Sequence, residues 1–192
     1  MPIRLLVLLI ILSVYNPART LAQGGPPGSG DLEDLPITVL ELDGSNLDFG
    51  QIIANSGLHI IDINSSKVLG ITAVRFLDVL VEITAGDALL LNNDPSCNSD
   101  PTCRLPFTLD AAYANEGTND PSAATPFTIN GNTAIASFRI RQGGGNNIPP
   151  PAFRNPERFE DTAYVYIFGS ITAGNVTGGI YTNTINVTVV HD

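Results

Sequence analysis

The sequence is poor in the residue types that carry acid–base, nucleophilic and metal chemistry. Its 192 residues include two histidines, two cysteines, one methionine and no tryptophan, and only 15% of them are charged. A serine- or cysteine-based catalytic site needs a histidine held by an acid, but His59 lies inside an apolar run and His191 is one residue from the end. We therefore expect no catalytic residue, no metal and no cofactor, and we interpret the protein as a non-enzyme.

Basic residues are also scarce. Nine lysines and arginines stand against 19 aspartates and glutamates, which gives a formal net charge of −10. Nucleic acids and anionic membrane surfaces attract basic proteins, so this balance excludes both as expected partners. Hydrophobic residues make up 43% of the chain, however, and they suffice to bury a core in one domain of ordinary size.

The N-terminus has the three parts of a secretory signal peptide. Arg4 precedes an apolar run from Leu5 to Val14, and Thr20-Leu21-Ala22 supplies a small-residue cleavage site. The run is shorter than the roughly 20 residues that a membrane-spanning helix needs, so we expect a protein that does not span the membrane. Cleavage after Ala22 would remove residues 1–22 and export the protein to the periplasm, the cell surface or the medium.

The rest of the chain predicts an all-β protein. Residues 23–34 are rich in glycine, proline and acid and predict a flexible leader, whereas residues 35–192 form a single domain in which apolar and polar residues alternate. The predicted strands are 36–42, 47–53, 58–63, 68–76, 78–84, 104–113, 133–141, 162–172 and 181–189. Many short strands separated by turns indicate an antiparallel β-sandwich or barrel, with long loops at 114–125 and 142–161.

The expected core lies on the apolar side of these strands. That side carries five large apolar residues that we expect to be buried: Phe49, Phe107, Phe138, Val187 and Val189. Successive side chains of a strand point to opposite faces, so the intervening polar residues should face solvent.

Three aromatic residues, Tyr164, Tyr166 and Phe168, share one side of the strand at 162–172. Exposed in a concave face, they would favour sugar binding, and a secreted carbohydrate-binding module or enzyme is therefore the alternative function. Both sides of this strand are apolar, however, which is typical of a central strand covered on both faces. We prefer the interpretation of these rings as core or as a subunit contact.

Cys97 and Cys103 lie in a polar turn region, and in an oxidising compartment they are expected to form a disulfide that stiffens this loop. The surrounding segment 92–100 is rich in Asn and Asp, whose oxygens bind calcium in other proteins, but it lacks the EF-hand spacing and its closing Glu. Turn formation by these side chains explains the composition more simply.

Three N-x-S/T sequons, at Asn64, Asn175 and Asn186, are acceptors only in a eukaryotic secretory pathway, so their use stays open.

The two ends of the predicted domain resemble a specific family. Leu47-Asp48-Phe49-Gly50 follows the apolar strand ITVLEL, and Gly178-Gly179-Ile180-Tyr181 runs into Ile185-Asn186-Val187-Thr188-Val189 at the C-terminus. In this order the segments are similar to the DUF4402 family, which is similar in turn to spore coat protein U and pilin-like subunits of bacterial surface structures. The motif residues of this chain are Leu47, Asp48, Phe49, Gly50, Gly179, Tyr181, Val187 and Val189.

The resemblance implies an immunoglobulin-like antiparallel β-sandwich that acts as a structural or adhesive subunit of a cell-surface or pilus-like assembly. It also implies partners, namely other copies or other surface subunits and a periplasmic chaperone. Leu35, Ile37 and Val39, next to the flexible leader, form the candidate assembly strand. This segment either pairs within its own sandwich or inserts into the open edge of a neighbour, and its short connection to Leu47–Gly50 favours the first arrangement.

The exported protein is expected to begin at Gln23 and to contain a Cys97–Cys103 disulfide. Intact-mass analysis after alkylation, with and without prior reduction, checks both features. Neither cysteine should take up label without reductant, and both should do so after reduction. A retained N-terminal segment, or two cysteines labelled without reductant, would contradict this interpretation.

Overall fold

The computed structural model describes residues 5–8, 11–14, 35–43, 46–75, 77–141 and 160–192, the first two ranges for their backbone only. In chain order the strands within these ranges are β1 (Leu5–Leu8), β2 (Ile11–Val14), β3 (Thr38–Glu41), β4 (Gln51–Ile53), β5 (Gly57–Ile61), β6 (Lys67–Val74), β7 (Asp78–Ala85), β8 (Ala88–Leu91), β9 (Arg104–Ala114), β10 (Thr125–Pro126), β11 (Thr128–Asn130), β12 (Thr133–Arg139), β13 (Glu160–Ala173), β14 (Ile180–Thr182) and β15 (Thr184–His191). Short 3₁₀ helices occur at Ile63–Ser65, Pro95–Ser99 and Pro121–Ala123. The chain is therefore all-β over its described part.

The described strands form two sheets that face each other. The first has the order β3-β6-β13-β9-β8-β14-β1-β4, with β10 beside β9 and β5 beside β13, and the second has the order β11-β12-β7-β15-β2. Apolar side chains from both sheets meet between them in one core. This arrangement is a β-sandwich, and the predicted fold class is confirmed at that level.

β13 is the longest strand and organises the first sheet. One of its sides pairs antiparallel with β6 through residues 160–167 and with β5 through residues 169–173, and the other pairs with β9 through residues 164–171. At Gly169 the neighbouring strand approaches so closely that a Cβ atom would overlap the carbonyl oxygen of Thr108. Glycine is required here because it has no side chain.

The expected core residues follow the predicted strand pattern, with two differences in degree. Phe107, Phe138 and Val187 are buried. Phe49 and Val189 are only half-buried at the margin of the core, so the prediction of full burial is wrong for these two. Phe49 lies in the segment before β4, and Val189 lies beyond the part of β15 that pairs with β2.

The strand boundaries differ from the prediction in a few places. β4 is shorter than the predicted strand 47–53, and β1, β2, β8, β10 and β11 are not among the predicted strands. The predicted loop 114–125 contains the 3₁₀ helix Pro121–Ala123. The predicted loop 142–161 lies outside the described residues up to position 159 and then enters β13, and the predicted leader 23–34 also lies outside them.

Aromatic rings join the two sheets in the core. Phe138 of the second sheet stacks on Tyr113 of the first, with ring centroids 4.1 Å apart and an angle of 10° between the planes. Phe127 contacts both rings edge-on, with centroids 5.9 Å from Tyr113 and 6.5 Å from Phe138. Such pairs contribute roughly 0.5–1.5 kcal/mol beyond the burial of their area.

We expect the Phe138→Ala variant to lose about 3–5 kcal/mol of unfolding free energy, because the substitution leaves a cavity between the sheets. The matched control is Ile135→Ala on the same strand, where the side chain is 41% exposed and the loss should stay below about 1 kcal/mol. Denaturant unfolding of both variants measures the difference. Equal losses would contradict this assignment of the two faces, and a larger loss for Ile135→Ala would show that the strand faces the core with its other side.

Candidate strand-pairing site

The N-terminal strands β1 and β2 lie alongside the last two strands of the chain. β1 pairs with β14 and β2 pairs with β15, and both pairings are parallel. Val7 lies opposite Ile180 and Val14 lies opposite Val187, so paired residue numbers differ by 173 in both ladders (180 − 7 and 187 − 14). The two ladders therefore share one register, although they belong to different sheets.

β4 borders the same place from the other side. It pairs antiparallel with β1, with Ile53 opposite Leu5 and Gln51 opposite Val7, and β1 is its one neighbour in the described sheet. β1 thus separates β4 from β14. We call the edges of β4, β14 and β15 the strand-pairing site. Their outward N–H and C=O groups need a partner strand, because unpaired backbone groups at a sheet edge attract another strand.

Motif residues from the two ends of the chain lie next to this site. Leu47 is buried and Phe49 packs against the core just before β4. The Asp48 side chain accepts a hydrogen bond from the Gly50 amide at 2.8 Å, and Gly50 has φ of 70°, a conformation that favours glycine. Gly179 precedes β14. The motif segment 47–50 therefore turns the chain into one border of the site, and the C-terminal motif forms the other.

Tyr181 anchors β14 from inside the sandwich. Its side chain is fully buried, burial raises the pKa of its phenol, and its hydroxyl donates a hydrogen bond to the carbonyl oxygen of Thr177 at 2.7 Å. The Thr177 amide in turn donates to the carbonyl oxygen of Thr102 at 2.7 Å. Thr102 lies in the loop closed by the Cys97–Cys103 disulfide, which confirms the predicted pairing. The disulfide loop therefore supports the segment that leads into β14.

Four positions of the paired N-terminal segment lie opposite buried residues of the site. The pairs are Leu6 with Ile52, Leu8 with Tyr181, Leu12 with Ile185, and Val14 with Val187. The four residues on the site's side are each at most 1% exposed. Residues directly opposite each other in a ladder share a face. In this register, positions i, i+2, i+6 and i+8 of the paired segment therefore lie opposite core residues of the site.

The candidate assembly strand lies in its own sheet. β3 pairs antiparallel with β6, from Thr38 opposite Thr72 to Glu41 opposite Leu69. Ile37 and Val39 are half-buried against the core. Just before them, the carbonyl oxygen of Leu35 accepts a hydrogen bond from His191 Nε2 at 3.2 Å, at the end of β15.

Lys67 holds the end of β3 against β6. Its side chain is fully buried, and its ammonium lies 2.5 Å from the Asp43 carboxylate and 3.0 Å from the Glu41 carboxylate. The Asp43 carboxylate also accepts a hydrogen bond from the Val68 amide at 3.4 Å. A buried ammonium is tolerated only when it is paired. This double ion pair therefore favours β3 pairing within its own sheet over its insertion into the edge of a neighbouring molecule.

The aromatic residues of β13 lie on the outer face of the first sheet, opposite the main core. Tyr166 is fully buried, packs on Ala112 and donates a hydrogen bond to the Asn119 side chain at 2.8 Å. Desolvation raises the pKa of Tyr166 to about 12. Tyr164 and Phe168 are half-buried beside it. The three rings therefore form a small second core and not an open platform for a sugar.

The polar loop at 92–100 uses its carboxylates to form turns. Asp94 accepts a hydrogen bond from the Ser96 amide at 2.9 Å, and Asp100 accepts two from Thr102 at 2.8 Å. These backbone and side-chain hydrogen bonds lower the pKa of both carboxyl groups. Among the residues that the structure describes, no group of three or more His, Cys, Asp or Glu side chains is arranged to hold a metal ion.

The other residues that the sequence marks lie apart from the strand-pairing site. Asn64, Asn175 and Asn186 are exposed. His59 lies on β5, where its Nε2 is 2.6 Å from the Ser56 hydroxyl. Within the described ranges no helix has the length and apolar character needed to cross a membrane.

No protein-family model matches the sequence, and no curated protein sequence matches it.

We expect Lys67→Met to loosen β3, because methionine keeps the apolar packing but removes the charge that both carboxylates face. Hydrogen exchange of the β3 amides should become about tenfold faster or more, which corresponds to about 1.4 kcal/mol of local stability. The matched control is Arg139→Met, which removes an exposed ion pair to Asp78 and should change unfolding by less than about 1 kcal/mol. Unchanged exchange in β3 would contradict the anchoring role of Lys67.

Proposed function

We propose that this chain is an exported, noncatalytic structural or adhesive subunit of a bacterial cell-surface or pilus-like assembly, completed by a β-strand from a partner. One observation carries this proposal: the apolar N-terminal segment occupies the strand-pairing site. The same segment is the apolar run of the predicted signal peptide. After its removal, the mature domain requires another strand in that place.

The physical requirement has two parts. Without β1 and β2, β4 loses the one strand with which it pairs in the described sheet, and β14 and β15 lose the hydrogen-bond partners along one edge while they stay paired with β8 and β7 on the other. The core positions that face the incoming strand, Ile52 and Ile185 among them, lose their cover as well. An added strand meets both needs, because its main chain supplies hydrogen bonds and its alternate side chains fill the positions between the sheets.

The mature N-terminal segment does not supply this strand. Pairing in the observed register needs apolar residues at i, i+2, i+6 and i+8, and no register within residues 23–50 provides all four. Starting at Leu35, for example, the third and fourth positions are Glu41 and Asp43, and both carboxylates already bind Lys67. We infer that the donor is a different protein, either another surface subunit or a periplasmic chaperone.

Two further features support the same proposal. The disulfide is consistent with an oxidising compartment, as export requires. The segments that resemble the DUF4402 family, Leu47–Gly50 and Gly179–Tyr181, lie at the two borders of the strand-pairing site. An immunoglobulin-like version of the sandwich, with one strand supplied from outside, accounts for this placement and forms part of the proposal.

A synthetic strand tests the proposal on the exported protein. The peptide KLTLSTKLTV has apolar residues at the four required positions, and the control KLTLSTLKVT has the same composition with its second apolar pair moved by one residue. At a hundredfold excess over Kd, the first peptide should raise the unfolding free energy by about 2.7 kcal/mol. It should also slow hydrogen exchange in β4, β14 and β15.

The control peptide should do neither, since it cannot place four apolar side chains on one face of a strand. If the exported protein does not fold alone, refolding with each peptide provides the same comparison. Equal effects of the two peptides, or a stable protein that neither peptide changes, would contradict the proposal.

A further inference from the structure

A largely apolar groove with two aspartates in its lining lies on the outer face of the first sheet, away from the strand-pairing site. Its volume is about 470 Å3. Strands β5, β9 and β13 form its floor, and the segment 124–126 forms one wall. The lining residues that matter here are Ile60, Ile63, Asp110, Ala112, Pro126 and Phe168.

Asp110 places an unpaired carboxylate in this groove. It lies on β9 directly opposite Phe168 of β13, and in the described part of the chain its carboxylate has neither a hydrogen bond nor an ion pair. Desolvation raises the pKa of Asp110. Asp62, the other titratable residue of the lining, already accepts hydrogen bonds from the amides of Asn64 and Ser65. None of the described residues that line the groove is basic.

The rim of the groove is unusually apolar for an exposed surface. Ile60 is 67% exposed and Leu58, its neighbour on the same side of β5, is 61% exposed. Scattered apolar residues on a surface are normal, but these two continue the lining formed by Ile63 and Phe168. A guest for this groove therefore needs an apolar body and a positive end.

We propose that this groove binds a lysine side chain of a partner protein, with the ammonium at Asp110 and the methylene chain along Ile60 and Phe168. Lysine combines an apolar stem with a compact cation, and an aromatic ring next to the cation adds attraction. A compact ammonium needs one carboxylate, and among the described lining residues Asp110 is the one whose carboxylate accepts no hydrogen bond. The net charge of −10 favours a basic partner.

The partner is not a second copy of this chain. The sequence contains one lysine, Lys67, and its ammonium is fully buried between Glu41 and Asp43. A second copy therefore has no lysine to offer. The groove is also independent of the strand-pairing site, so this inference stands whether or not the proposed assembly is correct.

n-Butylammonium, which reproduces the end of a lysine side chain, provides the direct test. Titration into the folded protein should shift the amide NMR signals of Ile60, Asp110 and Phe168, with a Kd of the order of millimolar. Asp110→Asn should weaken binding at least fivefold, whereas Glu82→Gln should leave it unchanged. Glu82 is an exposed carboxylate on β7 of the other sheet, so the control removes the same charge at a distance.

Neutral probes separate charge recognition from simple apolar binding. n-Butanol should bind at least fivefold more weakly than n-butylammonium, and methyl glucoside should not shift these signals. Because the pKa of Asp110 is raised, acidification should release the cation at a higher pH than an ordinary aspartate would require. Equal binding of the butyl compounds, binding unaffected by Asp110→Asn, or preferential binding of methyl glucoside would overturn the proposal.

Discussion

The end of the chain runs along the edge of both sheets, and the whole domain depends on how the hydrogen-bonding groups of that edge are satisfied. β14 belongs to the first sheet and β15 to the second, with Asn183 between them. A segment that pairs with both β14 and β15 therefore satisfies an edge of each sheet. Its loss leaves both edges without a hydrogen-bond partner. The core lies between the sheets. On this side it is therefore covered by the strands that pair along the continuous edge of β14 and β15.

Two side-chain amides hold the sheets together near this crossing. Asn183 donates a hydrogen bond to the Gly86 carbonyl at 2.9 Å, and Asn132 donates to the same carbonyl and to that of Phe107, each at 2.9 Å. The Asn132 side chain also accepts from the Leu109 amide at 2.9 Å. Buried polar groups with several partners select one arrangement of the strands around them. The apolar core supplies cohesion, and these amides fix how the sheets meet.

The sequence was most informative where one face of a strand is buried and the other is exposed. β9 was predicted to within a few residues, because alternation follows directly from the pleat of a strand. β8 was missed, since Ala88–Leu91 is a continuous apolar run without alternation. The motif residues of the strand-pairing site were marked in advance. Their meeting could not be predicted, because it depends on the topology that brings the two ends of the chain together.

The contacts of Lys67 and Asn132 could not be predicted from the sequence for a different reason. Lys67 follows a polar turn and looks like an ordinary surface lysine in the sequence, and its two partners lie 24 and 26 positions earlier. Asn132 occupies a turn, where asparagine is common, and shows no sign of its contacts with both sheets. Local pattern predicts which face of a strand is buried, but pairing between distant polar groups is set by the folded geometry.

The parallel direction of the N-terminal pairing limits the symmetry of any complex formed through it. The accepting edge and the donated strand are different surfaces, so the contact is heterologous and does not close as a two-fold pair. β1 and β2 point the same way as β14 and β15, and a donated strand that takes their place in the proposed assembly would do the same. In the proposed assembly each joint therefore has a polarity, and a row of such joints has two unlike ends.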